Sequence, residues 1–399
     1  MAPAATPGGP RRRVAVTGTG VVSAAGVGTE AFWNGLNGPA PEGLREVPDF
    51  DPTLYYANPK EIRRADRFEQ FATAAAIQAV EQAGHPGGDP VRNGVIIGTG
   101  IGGLITIEEQ TIVRYEKGPR RVSPFMIPMV MGNAPAAAVS MRHGFQGPCE
   151  TIVTACAAGT HSVANAARLI SSGRCDAVLA GSTEAAMTVT GVAGFTNMTA
   201  MSSTLTSRPF DRDRDGFVMG EGAGVVMLEE WDAAEARGAT ILAEVLGGAS
   251  TADAHHITAP SPGGAGAIAC MELALAEAGL TPDQIVHINA HGTSTPLNDA
   301  AEAEAIAKVF GAAPPAVTSV KGVLGHALGA AGSIEAVAVV LSMQHGLIPP
   351  TVGYVTPDPA LAEIDIVRDV ARPWTPGYTI SNSFGFGGHN GCVVFGPAS

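Results

Sequence analysis

Short β-branched runs and small-residue helical stretches alternate along most of this 399-residue sequence, among them RRVAVTG, FATAAAIQAVEQAG, NGVIIGTG and CDAVLAGST early, and ACMELALAEAGL, HINAHG and AEAEAIAKVFG later. Strands that follow one another through helices must lie in sheets covered by those helices, so the alternation predicts an α/β protein. The grammar also repeats. TIVTACAAGTHSVANAARLISSG and AVTSVKGVLGHALGAAGSIEAVAVVLSMQHG each run strand, polar or reactive turn, small-residue helix and glycine stop, which predicts a duplicated α/β unit. The two halves are expected at 13–242 and 243–399, behind a flexible tail at 1–12 whose Ala, Pro and Gly carry no hydrophobic period. Between about 105 and 141 the alternation breaks at RYEKGPRRVSPFMIPMVMGN, and its Pro and Met content predicts an inserted irregular cap or interface element.

Composition narrows the function classes. A formal charge of −13 argues against a general nucleic-acid binder, because phosphate neutralisation needs a basic surface. No uninterrupted apolar run reaches membrane-spanning length. The five cysteines are an odd number without a C-x-x-C pair, which predicts free thiols in a reducing cytoplasm rather than a disulfide framework.

Cys156 is the first candidate for chemistry. A strand ending at TAC and a helix starting near AAGTHS place its thiol at a helix N-terminus, where the dipole is expected to lower its pKa toward neutrality. Thiolate attacks thioesters and other acyl carbonyls; a buried structural cysteine is the competing reading. His291 in NAHGTSTP and His326 in LGHALGAAG each follow a β-like run into a glycine-containing turn, so both are expected at strand ends, where α/β proteins place their chemistry. Lys321 and Glu302 lie near them in sequence and either set the protonation and orientation of the imidazoles or form an ordinary surface pair. The glycine-rich NSFGFGGHNG offers backbone N–H groups for an oxyanion site, or is simply a turn that only glycine makes.

Two further patterns are weighed down by what they lack. GTGIGG satisfies a dinucleotide fingerprint, but no acidic ribose-binding position follows a second strand, so a nicotinamide cofactor is not expected. No metal is expected either, since Cys and His lack ligand spacings. Lys60, Arg63, Arg64 and Arg67 recur at helical spacing, and Arg120 and Arg121 add to them; in so acidic a chain they read either as a docking patch or as a solvated face.

The set TACAAGTHS, NAHGTSTPLND, VKGVLGHALGAAG, RPFDRDRDGFVMGEGAG and SNSFGFGGHN resembles the β-ketoacyl-[acyl carrier protein] synthases, specifically the elongating ketosynthases of dissociated (type II) fatty acid and polyketide systems. The resemblance spans roughly Arg13 to Phe395. It implies a thiolase fold, five αβαβα layers built from the two duplicated halves, usually as a homodimer. By the same resemblance Cys156 is the acyl-accepting nucleophile, His291 and His326 are the paired catalytic histidines, and Lys321 and Glu302 support them. The N–H groups of Cys156 and Phe386 make the oxyanion hole, with Phe386 as gate. Ile101 and Phe195 line the acyl pocket, and Thr293 and Thr295 meet the phosphopantetheine arm. No cofactor is implied beyond the phosphopantetheine that an acyl carrier protein brings. Lys60, Arg63, Arg64, Arg67, Arg120, Arg121 and Arg208 become docking candidates for that acidic partner.

The implied reaction is a decarboxylative condensation that extends a Cys-bound acyl chain by two carbons from malonyl-carrier protein. His326 argues against the initiating class with its Cys-His-Asn set, and Cys156 argues against a non-condensing subunit. The catalytic half of a heterodimer with a chain-length partner, a non-catalytic partner subunit and a cysteine hydrolase stand as alternatives. One departure is His389, which stands where elongating enzymes most often carry Thr.

Overall fold

The computed structural model describes residues 11–311 and 314–398. Five strands of the first half are β1 (Val14–Ser23), β2 (Asn93–Gly98), β3 (Cys149–Glu150), β4 (Ala177–Glu184) and β5 (Gly222–Glu230). The second half supplies β6 (Ala243–Ala252), β7 (Ile285–Asn289), β8 (Ala316–Thr318), β9 (Tyr378–Gly385) and β10 (His389–Pro397). The spatial order is β3-β2-β4-β5-β1 in one half and β8-β7-β9-β10-β6 in the other. In each, the first two pairings are parallel and the last two antiparallel, so the two halves share one topology. The sheets join edge to edge through only Ala15↔Glu244 and Val16↔Ala243.

Helices divide these sheets into layers. One outer layer holds α1 (Arg67–Ala83) and, farther along the chain, α3 (Ala134–His143); the opposite one holds α5 (Ala265–Ala278) and α6 (Pro296–Phe310). Between the sheets lie α4 (Ala158–Ser171) and α7 (Ala331–His345), each touching strands of both halves. The result is the five-layered αβαβα arrangement implied by the resemblance. Because α7 is covered on all sides, residues 331–343 are buried without an amphipathic stripe, and its Ala, Gly and Ser let two sheets close over it. The strand β1 is likewise buried along its whole length, as expected of a strand covered on both faces.

Two expectations need correction. The 105–141 segment is largely helical rather than irregular: α2 (Leu104–Lys117), a 3₁₀ turn at Pro119–Arg121, a short helix at Met126–Val130 and then α3. Residues 1–10 of the expected tail lie outside the described residues, but Arg11 and Arg12 are tied down by Glu277 at 3.3 Å and Asp176 at 2.9 Å, because the sequence hides acidic partners so far along the chain.

Candidate active site

The turn that carries Cys156 is built by the transition into α4. Its 3₁₀ turn, Ala155–Ala157, starts from a non-glycine residue in the left-handed region, Ala155 at φ 49°, which turns the Cys156 thiol out at the helix start. Glycine is required opposite: a Cβ on Gly385 would stand 3.0 Å from the Cys156 nitrogen. That close approach brings the Phe386 N–H onto the thiol. The thiol is 7% exposed. Burial pushes its pKa up to about 11, against the pull of the Phe386 N–H and the Lys321 charge. The expectation of a neutral-range thiol therefore fails, since desolvation outweighs the helix terminus in the resting site.

His291 and His326 arrive from the other half. Their rings meet edge to face at 5.2 Å, and His291 also meets Phe384 at 6.0 Å. The His326 turn is fixed from below: its N–H donates to Val218 O at 2.7 Å, and the buried Arg45 guanidinium donates from Nε to Val323 O at 3.1 Å. Burial, then the nearby Lys321 charge, holds both imidazoles well below the usual histidine range, so they are neutral at pH 7. The Nδ1 of His326 is buried without a partner among the described residues.

Lys321 and Glu302 are both buried, which removes the surface-pair alternative. Lys321 Nζ lies 3.4 Å from His291 Nδ1 and forms a short ion pair with Glu335. Glu302 acts on the main chain instead of on an imidazole: its carboxylate accepts the N–H groups of His291 and Gly292, both at 2.7 Å. Sequence reasoning missed Glu335, although a single acid within the apolar helix AAGSIEAVAVVL was a signal for it. It also missed Glu184, which accepts from Gly100 N at 2.8 Å, Gly329 N at 3.0 Å and Thr99 Oγ1 at 3.1 Å. The Gly100 and Ile101 amides of GTGIGG thus bind a carboxyl group belonging to the chain itself.

A cavity of about 390 Å³ joins Cys156, His291, His326, Phe386, Thr293, Thr295 and Phe195. The Thr293 and Thr295 hydroxyls lie 2.9 Å apart on its wall. Phe217 stands between Phe195 and His326, with edge-to-face contacts of 5.5 and 5.4 Å. Ile101 is not among the residues lining this cavity; it is 42% exposed, and its N–H donates to Glu184 at 3.3 Å. Among the expected docking cations, Lys60, Arg63, Arg64, Arg120 and Arg121 are exposed. Arg67 is not a free cation: Glu221 holds it at 2.6 Å. Arg208 is half-buried, with Nη1 3.5 Å from Asp213 O. His389 opens β10 opposite Gly385.

Comparison with known proteins identifies the family and the fold. The family model described as Beta-ketoacyl synthase, N-terminal domain, matches residues 37–234, and that of the C-terminal domain matches residues 242–355. The 3-oxoacyl-[acyl-carrier-protein] synthase 2 of Synechocystis sp. is 44% identical, with 96% of this chain and 98% of the relative covered. Its namesake in Vibrio cholerae is 42% identical, with 96% and 99% covered. Among solved structures, the ishigamide ketosynthase/chain length factor superposes with a TM-score of 0.91 at 34% identity, covering 98% of this chain and 100% of that one. A type II polyketide ketosynthase solved with its acyl-carrier protein gives 0.89 at 31%, covering 97% and 100%. The chain therefore belongs to the β-ketoacyl synthase family, within its elongating type II branch.

Proposed function

We propose that the protein is a 3-oxoacyl-[acyl carrier protein] synthase in which Cys156 carries the growing chain and His291 and His326 manage the malonyl unit. The observation that carries this assignment of roles is the single cavity shared by the Cys156 thiol, the Phe386 N–H directed at it and two neutral imidazoles. In the first stage the Cys156 sulfur bonds to the acyl carbonyl carbon of a carrier thioester. The oxyanion of the tetrahedral intermediate lies between the N–H groups of Cys156 and Phe386; the thioester bond then breaks and the Cys156 proton leaves with the carrier thiol. A thiol with so high a resting pKa loses that proton as the bond forms, and the neutral imidazoles are the nearby acceptors.

In the second stage malonyl-carrier protein enters, with its pantetheine arm along Thr293 and Thr295. The ring N–H groups of His291 and His326 hold the thioester carbonyl while the C–CO₂ bond breaks, and the electron pair stays on the α-carbon as an enolate. That carbon bonds to the acyl carbonyl, the acyl–Cys156 bond breaks, and a proton returns to the thiol. Lys321, held by Glu335, positions His291; Glu302 positions the same turn through its backbone. No cofactor is needed beyond the pantetheine that the carrier brings, and the exposed Lys60, Arg63, Arg64, Arg120 and Arg121 receive that carrier.

A second subunit fits at β3. This strand is the open edge of its sheet, and Ile101, Ile127, Met131 and Val153 expose apolar surface in the segments around it. Another copy of the chain, or a homologous chain-length subunit, covers that edge; two structural neighbours are ketosynthases described with a chain length factor. Among the described residues no helix is long and apolar enough to cross a membrane, in keeping with a cytoplasmic site of action.

The test is incubation with acyl- and malonyl-carrier protein followed by intact mass. The wild type is expected to carry an acyl adduct and release a 3-oxoacyl product two carbons longer. An adduct that persists in Cys156→Ala, or absence of product from the wild type, overturns the assignment. His326→Ala is expected to impair decarboxylation more than loading.

A further inference from the structure

His161 ends the first turn of α4, and no step of the condensation uses it. The ring is 6% exposed and is held at both nitrogens. Nε2 lies 3.0 Å from the backbone oxygen of Asn390 in β10, and Nδ1 lies 2.8 Å from the hydroxyl of Thr154, which stands just before the 3₁₀ turn of Cys156. Burial holds the imidazole below the usual histidine range, so at pH 7 it is neutral and carries one N–H. A carbonyl can only accept, which puts that proton on Nε2 and makes the Thr154 hydroxyl the donor to Nδ1.

These two bonds join the two sides of the oxyanion site. Thr154 begins the turn that carries Cys156: its oxygen accepts from Ala157 N at 3.1 Å, and the left-handed Ala155 follows it. A threonine in this position ordinarily caps the turn it precedes, but the Thr154 side chain makes no cap bond and is committed to His161 instead. On the other side Asn390 follows Phe386 in the glycine-rich loop, and its side chain, on the cavity wall, donates to Asp253 Oδ1 at 2.8 Å. Space is reserved for the ring as well: a Cβ on Gly391 would stand 2.9 Å from His161 Nε2.

The turn before α7 shows that the backbone does not need this bridge. Leu328 takes the same left-handed conformation, at φ 48°, and a 3₁₀ turn again leads into the helix, but Ala327 stands in the place of Thr154 and the buried Ile334 in that of His161. Neither side chain can form a hydrogen bond. The fold therefore makes this turn without a threonine and a histidine, and the pair occurs in the copy that carries the thiol.

We propose that His161 is a positioning residue for acyl transfer: by tying Thr154 to Asn390 it fixes the spacing of the Cys156 and Phe386 N–H groups that receive the oxyanion. This role rests on the acyl-carrying Cys156 of the proposed function and adds what keeps two donors from different halves of the chain in register. Register matters because a donor displaced from the developing charge loses much of its effect on the rate.

The test separates the two stages in His161→Phe, which keeps a ring and removes both bonds. Acyl transfer from acyl-carrier protein to Cys156, followed by intact mass, is expected to slow about a hundredfold, as for a misplaced oxyanion donor. Release of CO₂ from malonyl-carrier protein, which depends on His291 and His326, is expected to stay within about threefold of the wild type. Equal losses in both stages, or unchanged loading, overturn the inference. Should that variant misfold, His161→Gln keeps a donor for Asn390 O and leaves Thr154 without its acceptor, so loading is expected to slow about tenfold with CO₂ release again retained. Thr154→Val cuts the same bond from the other side; it is expected to slow loading about tenfold and to add nothing to His161→Phe, and losses that multiply in the double variant overturn the bridge. A wild type that forms no adduct from acyl-carrier protein overturns the proposed function and this inference with it. Normal wild-type loading, with no split between the stages in the variants, overturns the inference alone.

Discussion

The turn before α4 and the turn before α7 are two copies of one backbone device. Each enters its helix through a single 3₁₀ turn, Ala155–Ala157 in one and Leu328–Ala330 in the other, and each starts from a non-glycine residue at nearly the same left-handed φ, 49° at Ala155 and 48° at Leu328. Cys156 occupies the second position of the first turn; Gly329 occupies the second position of the other. There the N–H is bound by Glu184, and a Cβ would run into Gly100 N and stand 2.8 Å from the Glu184 carboxylate. The strand ends match as well. Two and three residues after β2, Gly100 and Ile101 donate to Glu184; two and three after β7, His291 and Gly292 donate to Glu302. Duplication thus supplied the same framework twice. One copy kept a thiol and the other its histidines, and a buried carboxylate braces the strand-end turn of each.

Breaking this comparison at its strongest point means removing the thiol: Cys156→Ala is expected to lower condensation by at least a thousandfold, read by product formation from carrier substrates. Filling the matching position comes next. Gly329→Ala is expected to destabilise the fold by about 3 kcal/mol in urea denaturation, because backbone and not a flexible side chain stands in the way. The two braces should then separate. Glu302→Gln and Glu184→Gln are each expected to cost about 1–3 kcal/mol of stability through a misplaced amide, but only the former should slow decarboxylation of malonyl substrate, since only it bears on His291.

A pH titration sharpens the same contrast. Burial pushes Glu184 and Glu302 up to about 7, above the ordinary 4.5, so the stability each contributes is complete below about pH 4.5 and is lost as the pH rises through about 7. Relative to Glu184→Gln, the wild type should therefore lose stability between pH 5 and pH 8. The smallest effect concerns docking: Arg63→Ala is expected to weaken carrier binding severalfold at low salt with stability unchanged, whereas Arg67→Ala should cost about 1–3 kcal/mol of stability, because it strips the cation from the buried Glu221.

Much of this site was legible because its reactive residues lie in turns marked by nearby glycines, although only His291 closely follows a strand: Cys156 lies six residues beyond β3, and a short helix, Lys321–Leu324, separates His326 from β8. Cys156, His291 and His326 stand out for that reason, and the repeated strand-turn-helix grammar gave the duplication. What escaped depends on the third dimension. Arg67 shares a helical spacing with the exposed cations, but its partner Glu221 is 154 residues away. Ile101 sits in the right motif but on the exposed surface of the single chain, which the motif does not reveal. The thiol pKa was misjudged because a helix terminus is visible in a sequence while the depth of its burial is not.

The central helix pair carries one more consequence. A Cβ on Gly159 of α4 would stand 2.5 Å from Ser333 N of α7, and one on Gly332 would stand 2.7 Å from Thr160 N, so the two helices touch backbone to backbone between the sheets. Neither half can open its inner face without the other doing so. Amide hydrogens of residues 158–171 and 331–343 should accordingly be the last to exchange with deuterium, together and at the rate of global unfolding, making this pair the clock by which the lifetime of the folded molecule is read.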